Sequence, residues 1–277
     1  MALETLFFIK IRIKCKKSND LKFKDEIVKQ QGLRYKSDMI SSSHNKLKVD
    51  TLSPKPGITI WYCRIPDITD SILHNPVQQD FRAVMNKLFQ KNDFIKPVFN
   101  NEEIITINSF KALKKQIEWI SGRVLIKQML QYFFLTTAAL NQITLSYLEQ
   151  GAPFVTQQPD IPISLSHSNE YTTAACSKNR EQCIGLDIEK ITKMPDIFFL
   201  KTAFTQNEIE YLKDDAEKVF KNWTIKEAYL KYIKKGFNES LHRVEVINDE
   251  IWHNKKKISV DVYSTFIDGY VLSLVSD

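Results

Sequence analysis

The sequence predicts an α+β fold made of two similar halves, 58–178 and 179–277, behind a basic N-terminal extension and linker, 1–57. Three observations carry this reading. Period-two apolar patterns, the mark of strands with one buried face, open and close each half. Between them the apolar spacing changes to steps of three and four, the mark of helices. The order strand, helices, strands then occurs twice, although no residue-level repeat accompanies it in the sequence.

In chain order, "LFFIKIRIK" alternates Ile9, Ile11 and Ile13 with Lys10, Arg12 and Lys14, which predicts a strand with one wet face. A weak helical stretch follows, and then "SSSHNKLKVDTLSPKPG", where Ser, Asn, Pro and Gly cluster as in a linker. The strand "ITIWYCRI" opens the first half near Ile58. From about Ser109 to Leu148, Leu113, Ile117, Ile120 and Val124 recur at steps of four, three and four, and two helices are expected to share the region. "IPISLSHSNEYTTAACS" returns to extended structure, with Ile161, Ile163, Leu165 and His167 on one side and Ser164, Ser166 and Ser168 on the other. The second half opens with the strand "CIGLDIE" and continues with helices from about Thr205 to Lys235. It closes with "VEVI", "KISVDVY" and "GYVLSLV", where Asp268-Gly269 is a two-residue hairpin signal.

With 277 residues, 43% hydrophobic and 26% charged, the chain has the composition of a soluble globular protein. No apolar run approaches the roughly 18 residues that a membrane span needs, and the opening residues lack the order of a secretory leader. A cytoplasmic protein is expected, with no membrane partner. Four cysteines at 15, 63, 176 and 183 have neither metal-ligand spacing nor the density of a disulfide framework, so buried free thiols are expected. The net charge of +6 is uneven: residues 1–57 hold 13 Lys/Arg against 6 Asp/Glu, and the rest is close to neutral. A basic segment of this kind is compatible with nucleic-acid binding, but a lysine-rich solvated surface is its commoner form, and no nucleic-acid partner is expected.

Two carboxylates stand out in "CIGLDIEK". Side chains two apart on a strand point the same way, so Asp187 and Glu189 share a face while Leu186 and Ile188 pack on the other. Such a pair repels itself unless something positive sits between the two. It is either a strand end reaching solvent beside Lys190 and Lys193, or part of a site. In "VFKNWTIKEAYLKYIKKGF" a third carboxylate, Glu227, lies in the apolar ridge Phe220, Trp223, Leu230. It is either half of an i,i+4 ion pair with Lys231 or a group with a buried task. Three acids converging from strand and helix suit a hard cation such as Mg²⁺, and Lys226, Lys231, Lys234 and Lys235 supply charge suited to phosphate. Thr205 followed by Glu208 is a capping box and is assigned to the fold. His167 is open between a hydrogen-bonded core residue and a functional one.

The ordered blocks "ISLSHS", "IGLDIEK", "FTQNEIEYL" and "NWTIKEAYLK" resemble the signature of the surfactin-synthetase-type 4'-phosphopantetheinyl transferases. "WISGRVLIKQML" is similar to the family's earlier Arg/Lys-containing segment and "GAPFV" to its Gly-Lys-Pro turn. The resemblance covers about 58–277, and the blocks from Gly185 to Lys231 are the specific part. It implies a pseudo-two-fold pair of α+β halves. It also implies transfer of the phosphopantetheine arm of coenzyme A to a serine of an apo acyl or peptidyl carrier protein, with release of adenosine 3',5'-bisphosphate. By the same resemblance Asp187, Glu189 and Glu227 surround Mg²⁺, and Glu227 is the candidate base. Asp187, Glu227 and Lys231 are then the catalytic set. His167, Lys231, Ser166 and Lys226 hold coenzyme A, with Arg123 and Lys127 as further candidates. A monomer is expected.

The residue types suit that chemistry. A metal and lysines offset the charge that grows on a leaving phosphate. The nucleophile arrives on the partner, which agrees with the lack of a G-x-S-x-G elbow. Two departures stand out: the family's Gly-x-Gly-Leu turn is Lys234-Lys235-Gly236-Phe237 here, and Ala152 replaces the lysine of the Gly-Lys-Pro turn. The competing readings are a Mg²⁺-dependent phosphohydrolase using the same acids, and a non-catalytic basic interaction module whose acids are only structural.

Overall fold

A computed structural model describes residues 35–36, 48–68 and 98–277, all of them within the compact unit Gly32–Asp277. The predicted strand at 6–14 and most of the basic extension lie outside the described residues, and so does Cys15. The first sheet is antiparallel and contains β1 (Tyr35–Lys36), β2 (Asp50–Lys55), β3 (Ile58–Arg64), β7 (Tyr171–Ser177) and β6 (Ile163–Ser168), in that spatial order. Helices α1 (Asn101–Ser109) and α2 (Leu113–Phe133) and the small hairpin β4 (Leu145–Tyr147) and β5 (Pro153–Val155) stand between β3 and β6 in the chain.

The second half begins with β8 (Ile184–Lys190). It continues through α3 (Ile197–Ala203), α4 (Gln206–Leu212) and α5 (Ala216–Tyr232) to β9 (Val244–Ile247), β10 (Glu250–His253) and β11 (Lys256–Lys257), which form a small antiparallel sheet. β12 (Asp261–Ile267) and β13 (Tyr270–Ser276) close the chain and join β8 in the order β12-β13-β8. Each half therefore places its first strand beside its last, and its last beside its penultimate: β3-β7-β6 in one and β8-β13-β12 in the other. The α+β architecture of two similar halves is as expected.

Alternation explains how the layers meet. On β3, Ile58, Ile60 and Tyr62 enter a core shared with Ile184, Leu186 and Ile188 of β8 and Leu272 and Leu274 of β13. Trp61 and Cys63 face the other way, into the core that α2 fills with Val124, Leu125, Met129 and Leu130. The Asp268-Gly269 turn forms as predicted, both residues taking positive φ (46° and 77°) between the paired ends Ile267 and Tyr270. Among the described residues no helix is long and apolar enough to cross a membrane. Cys63, Cys176 and Cys183 are free thiols, and burial pushes the Cys176 thiol up to about 12, which removes it as a nucleophile at neutral pH.

The fold also reveals a repeat that the sequence conceals. In the first half, Asn100 and Glu103 form a capping box on α1, and Lys127 of α2 donates to Glu103 and to the Val98 carbonyl (2.8 Å) beside the Phe99 ring. In the second, Thr205 and Glu208 form the same box on α4, and Lys226 of α5 donates to Glu208 (2.7 Å) and to the Ala203 carbonyl (2.8 Å) beside the Phe204 ring. The shared skeleton is a phenylalanine, a cap, a glutamate, and a distant lysine on the following long helix. Only four positions are alike, and the lysine stands 24 residues after the glutamate in one half and 18 in the other, so no alignment by eye connects them.

Two element predictions change. The linker drawn through residue 57 contains β2, whose Asp50–Leu52 pair with Ile60–Tyr62 of β3, so the boundary at 57/58 falls in the turn of a hairpin. The region 109–148 holds one 21-residue helix and the start of the β4–β5 hairpin; the other helix, α1, precedes it. The tight hairpin end, with Gly151 at φ 85°, offers too few apolar residues for a strand signal.

Helix α5 is buried all round from Thr224 to Leu230, and it lies directly on β8. A Cβ on Gly185 would stand 2.0 Å from the Ala228 carbonyl oxygen and 2.4 Å from the Tyr232 nitrogen, so only glycine permits this approach. The helix ends at Tyr232, and two residues on Lys234 takes the left-handed conformation at φ 56° where the resembling family has glycine, while the Lys235 amide caps the Leu230 carbonyl at 3.1 Å.

Three outcomes follow for urea unfolding. Gly185→Ala should lose at least about 3 kcal/mol, because the obstacle is helix backbone and not a side chain that can rotate away. Glu208→Gln should lose about 3–5 kcal/mol by leaving the Lys226 ammonium buried without its counter-charge. Lys234→Gly should gain about 0.5–1 kcal/mol by relieving the left-handed strain at an exposed position.

Candidate active site

The site forms where the edge strands of the two sheets, β6 and β8, run side by side. They are joined by the serine face of β6. Ser164 Oγ accepts from the Leu186 amide (2.9 Å), Ser166 Oγ donates to Asp187 Oδ1 (2.6 Å), and Ser168 Oγ donates to Glu189 Oε2 (2.7 Å) while accepting from the Lys190 amide (3.3 Å). The alternation of "ISLSHS" puts all three serines on one side of β6, and the alternation of "GLDIE" turns both acids away from the shared apolar core.

Helix α5 completes the site from above. Lys231 Nζ donates to Asp187 Oδ1 (2.7 Å), to the Leu186 carbonyl (3.0 Å) and to the Leu165 carbonyl (3.3 Å), so one ammonium ties α5 to both edge strands. Glu227 lies one helical turn before Lys231 and is buried, as are Asp187 and Glu189. The strand-end alternative is therefore excluded: Asp187 is only 1% exposed. Its second oxygen, Oδ2, is buried with no hydrogen-bond partner among the described residues. A buried carboxylate oxygen left in this state costs about 1–3 kcal/mol or more, which makes it an acceptor ready for a cation or a donor.

As the side chains stand, no group of three or more His, Cys, Asp or Glu is gathered to hold a metal among the described residues. Oδ1 of Asp187 is taken by Ser166 and Lys231. The donor chemistry nevertheless fits a hard divalent ion: oxygens only, three of them from buried carboxylates, one oxygen unfilled.

The other candidate ligands separate. Lys226, expected at coenzyme A, is fully buried on the far side of α5, where it bonds Glu208 and the Ala203 and Leu241 carbonyls; desolvation lowers its pKa. Lys127 is likewise fully buried and bound to Glu103 and Val98, with its pKa lowered by the same cause. Both are framework residues, because an ammonium with its protons committed inside the core has no reach to a ligand. Arg123 lies on the wall of a cavity of about 300 Å³, donating to the Tyr147 hydroxyl (3.0 Å), 3.5 Å from Glu103 Oε1 and 4.5 Å from the Trp119 ring centroid.

His167 follows the parity read from the sequence but is no core residue. Its side chain is 44% exposed and lies beside Glu118 of α2, a residue that sequence reasoning missed. No motif marks Glu118; only the packing of α2 on β6 reveals it.

Part of the chain is similar to known proteins. Residues 183–275 match the 4'-phosphopantetheinyl transferase superfamily. The 4'-phosphopantetheinyl transferase gsp of Aneurinibacillus migulanus is 33% identical over 138 residues, 46% of this chain and 56% of that protein. The 4'-phosphopantetheinyl transferase psf-1 of Bacillus pumilus is 28% identical over 152 residues, 53% of this chain and 63% of that protein. The 4'-phosphopantetheinyl transferase HetI of a Nostoc species is 26% identical over 156 residues, 53% and 64% of the two chains. The matched portion thus spans between half and two thirds of the length of these relatives. Of the elements that build the Asp187 site, β8 and α5 lie in the matched segment and β6 lies before it, and over that segment this chain is similar to the 4'-phosphopantetheinyl transferase superfamily.

Proposed function

We propose that this chain transfers the 4'-phosphopantetheine arm of coenzyme A to a serine hydroxyl of an apo acyl or peptidyl carrier protein, releasing adenosine 3',5'-bisphosphate. The observation that carries the reading is the buried Asp187 carboxylate, held on one oxygen by Ser166 and Lys231 and unfilled on the other, within the segment that matches the superfamily. The similarity to gsp and psf-1 supports the reaction class. We place the enzyme in the cytoplasm as a monomer, and we assign the two halves to 58–178 and 179–277 with the β2–β3 hairpin added to the first.

The carrier's serine oxygen bonds to the phosphorus bearing the pantetheine arm, and the bond from that phosphorus to the bridging oxygen breaks. Glu227 takes the hydroxyl proton, and adenosine 3',5'-bisphosphate leaves with the bridging oxygen. A carboxylate on a buried helix face is a suitable base because water is kept from competing for the proton. Lys231 keeps one positive charge at the seam throughout, bonded to two strand carbonyls and therefore fixed where charge builds on the leaving group. Ser166 and Ser168 orient Asp187 and Glu189 and need not react. Asp187, Glu189 and Glu227 would hold Mg²⁺, which would offset charge on the pyrophosphate.

The test is incubation of the chain with coenzyme A, Mg²⁺ and an apo carrier protein, followed by intact mass measurement of the carrier. A gain equal to the phosphopantetheine arm is expected, and release of free phosphate without a carrier adduct would overturn the reading. Asp187→Asn keeps an acceptor for Ser166 but removes the charge. It should slow transfer at least a hundredfold, about 3 kcal/mol, with little change in melting temperature.

A further inference from the structure

We propose that the cavity between α1, α2 and the β4–β5 hairpin is a binding site for a small neutral amide of the blocked-amino-acid type, whose N–H meets Glu103 and whose carbonyl meets Arg123. None of the groups assigned to the transfer reaction lies in its wall.

The other half of the same chain shows the matching seat filled. In both halves Oε2 of the capping glutamate accepts from the buried lysine and from the amide of the cap residue, Asn100 (3.1 Å) in one and Thr205 (2.8 Å) in the other. The oxygen Oε1 is where the halves differ. Glu208 Oε1 accepts from the Val246 amide of β9 (2.9 Å), and Asn222, four residues before Lys226, donates from Nδ2 to the Val246 carbonyl (2.7 Å). The N–H and the C=O of a single extended residue thus close the frame. Glu103 Oε1, by contrast, is buried with no hydrogen-bond partner among the described residues. The residue four before Lys127 is Arg123, whose Nε stands 3.5 Å from that oxygen.

The strand that corresponds to β9 is β4. Each follows its long helix by way of one turn of 3₁₀ helix, Leu140–Gln142 or Leu241–Arg243, and each opens an antiparallel hairpin. Here the backbone of the strand does not reach the glutamate, because a longer side chain than asparagine intervenes. The Arg123 guanidinium carbon is 4.5 Å from the Trp119 ring centroid and 5.6 Å from that of Tyr147, and Nη2 donates to the Tyr147 hydroxyl (3.0 Å). The space left is the cavity of about 300 Å³, with β4 along one wall and Glu103, Trp119 and Arg123 in the other.

The chemistry of the walls selects the ligand. The volume is at the lower end of the range for small-molecule pockets, which suits a compound the size of a blocked amino acid. Glu102 adds a second carboxylate beside Glu103, so a phosphate is repelled, and a cation is repelled by Arg123. A neutral amide satisfies both groups. Its N–H supplies the donor that Glu103 Oε1 lacks, its carbonyl takes a proton of Arg123, and the Trp119 ring covers its apolar part.

The probe is N-acetylvaline N-methylamide, which presents the N–H and C=O that Val246 presents in the second half; the control is its ester counterpart, with oxygen in place of the valine N–H. The full chain, carrying isotope-labelled tryptophan, is titrated with each while the Trp119 indole signal is followed. A saturable shift is expected with the amide, and binding about tenfold or more weaker with the ester, because a hydrogen bond to a charged acceptor is lost. Thr106→Phe fills the cavity from α1 and Ser146→Tyr fills it from β4, neither touching the Lys127–Glu103 pair, and each should abolish the shift. No saturable shift at tens of millimolar, or equal binding of amide and ester, would overturn the proposal. The same Trp119 shift with coenzyme A, abolished by the same variants, would assign the cavity to the donor and overturn it as well.

Discussion

The site depends on a lysine that never touches it. Lys226 is sunk in the core against Glu208, and because a helix advances about 100° per residue, that anchor sets the rotation of α5 about its own axis. Glu227 and Lys231 then come out about 100° and 140° around from the anchor, and Ala228 and Tyr232 about 200° and 240°. These four span the face that meets β8. The ion pair is weak grounds for net stability, since burying both charges costs several kcal/mol before their attraction offsets it. Its value is directional: turned by one residue, α5 would bring Lys226 round to the bearing of Glu227 and send Lys231 away from Asp187.

The same constraint explains how much could be read in advance. The acids Asp187 and Glu189 were readable because strand parity has only two outcomes, and Glu227 because it interrupts an apolar ridge. Lys226 and Lys127 were misassigned for a common reason. A lysine next to a motif residue looks like a phosphate ligand, and nothing in local spacing tells that its partner is a capping glutamate 18 or 24 residues away. The box at Thr205 and Glu208 was recognised, but only as a local cap; the second task of Glu208, holding a helix from another element, is a tertiary fact. His167 shows the limit of parity, which chose its face correctly and could not say that α2 leaves the end of that face open beside Glu118.

The duplicated framework is unequal in chemistry. Both halves keep the phenylalanine, cap, glutamate and lysine, yet the residue after the anchoring lysine is Gln128 in one and Glu227 in the other. β3 carries Trp61 and Tyr62 in mid-strand, where β8 carries Asp187. The first half thus supplies the serine edge, and the second supplies the buried carboxylates and the fixed ammonium. A site built this way needs both.

The serine contacts between β6 and β8 have a further consequence for how such a protein can change. A backbone ladder is indifferent to side-chain identity, so a strand pair zipped by main-chain bonds conserves its geometry through almost any substitution. Here three hydroxyls replace the zipper, each serving a different residue of β8. The shared apolar core and Lys231 hold the two halves together, while the spacing of the seam itself is open to selection one hydroxyl at a time, without disturbing the register inside either sheet.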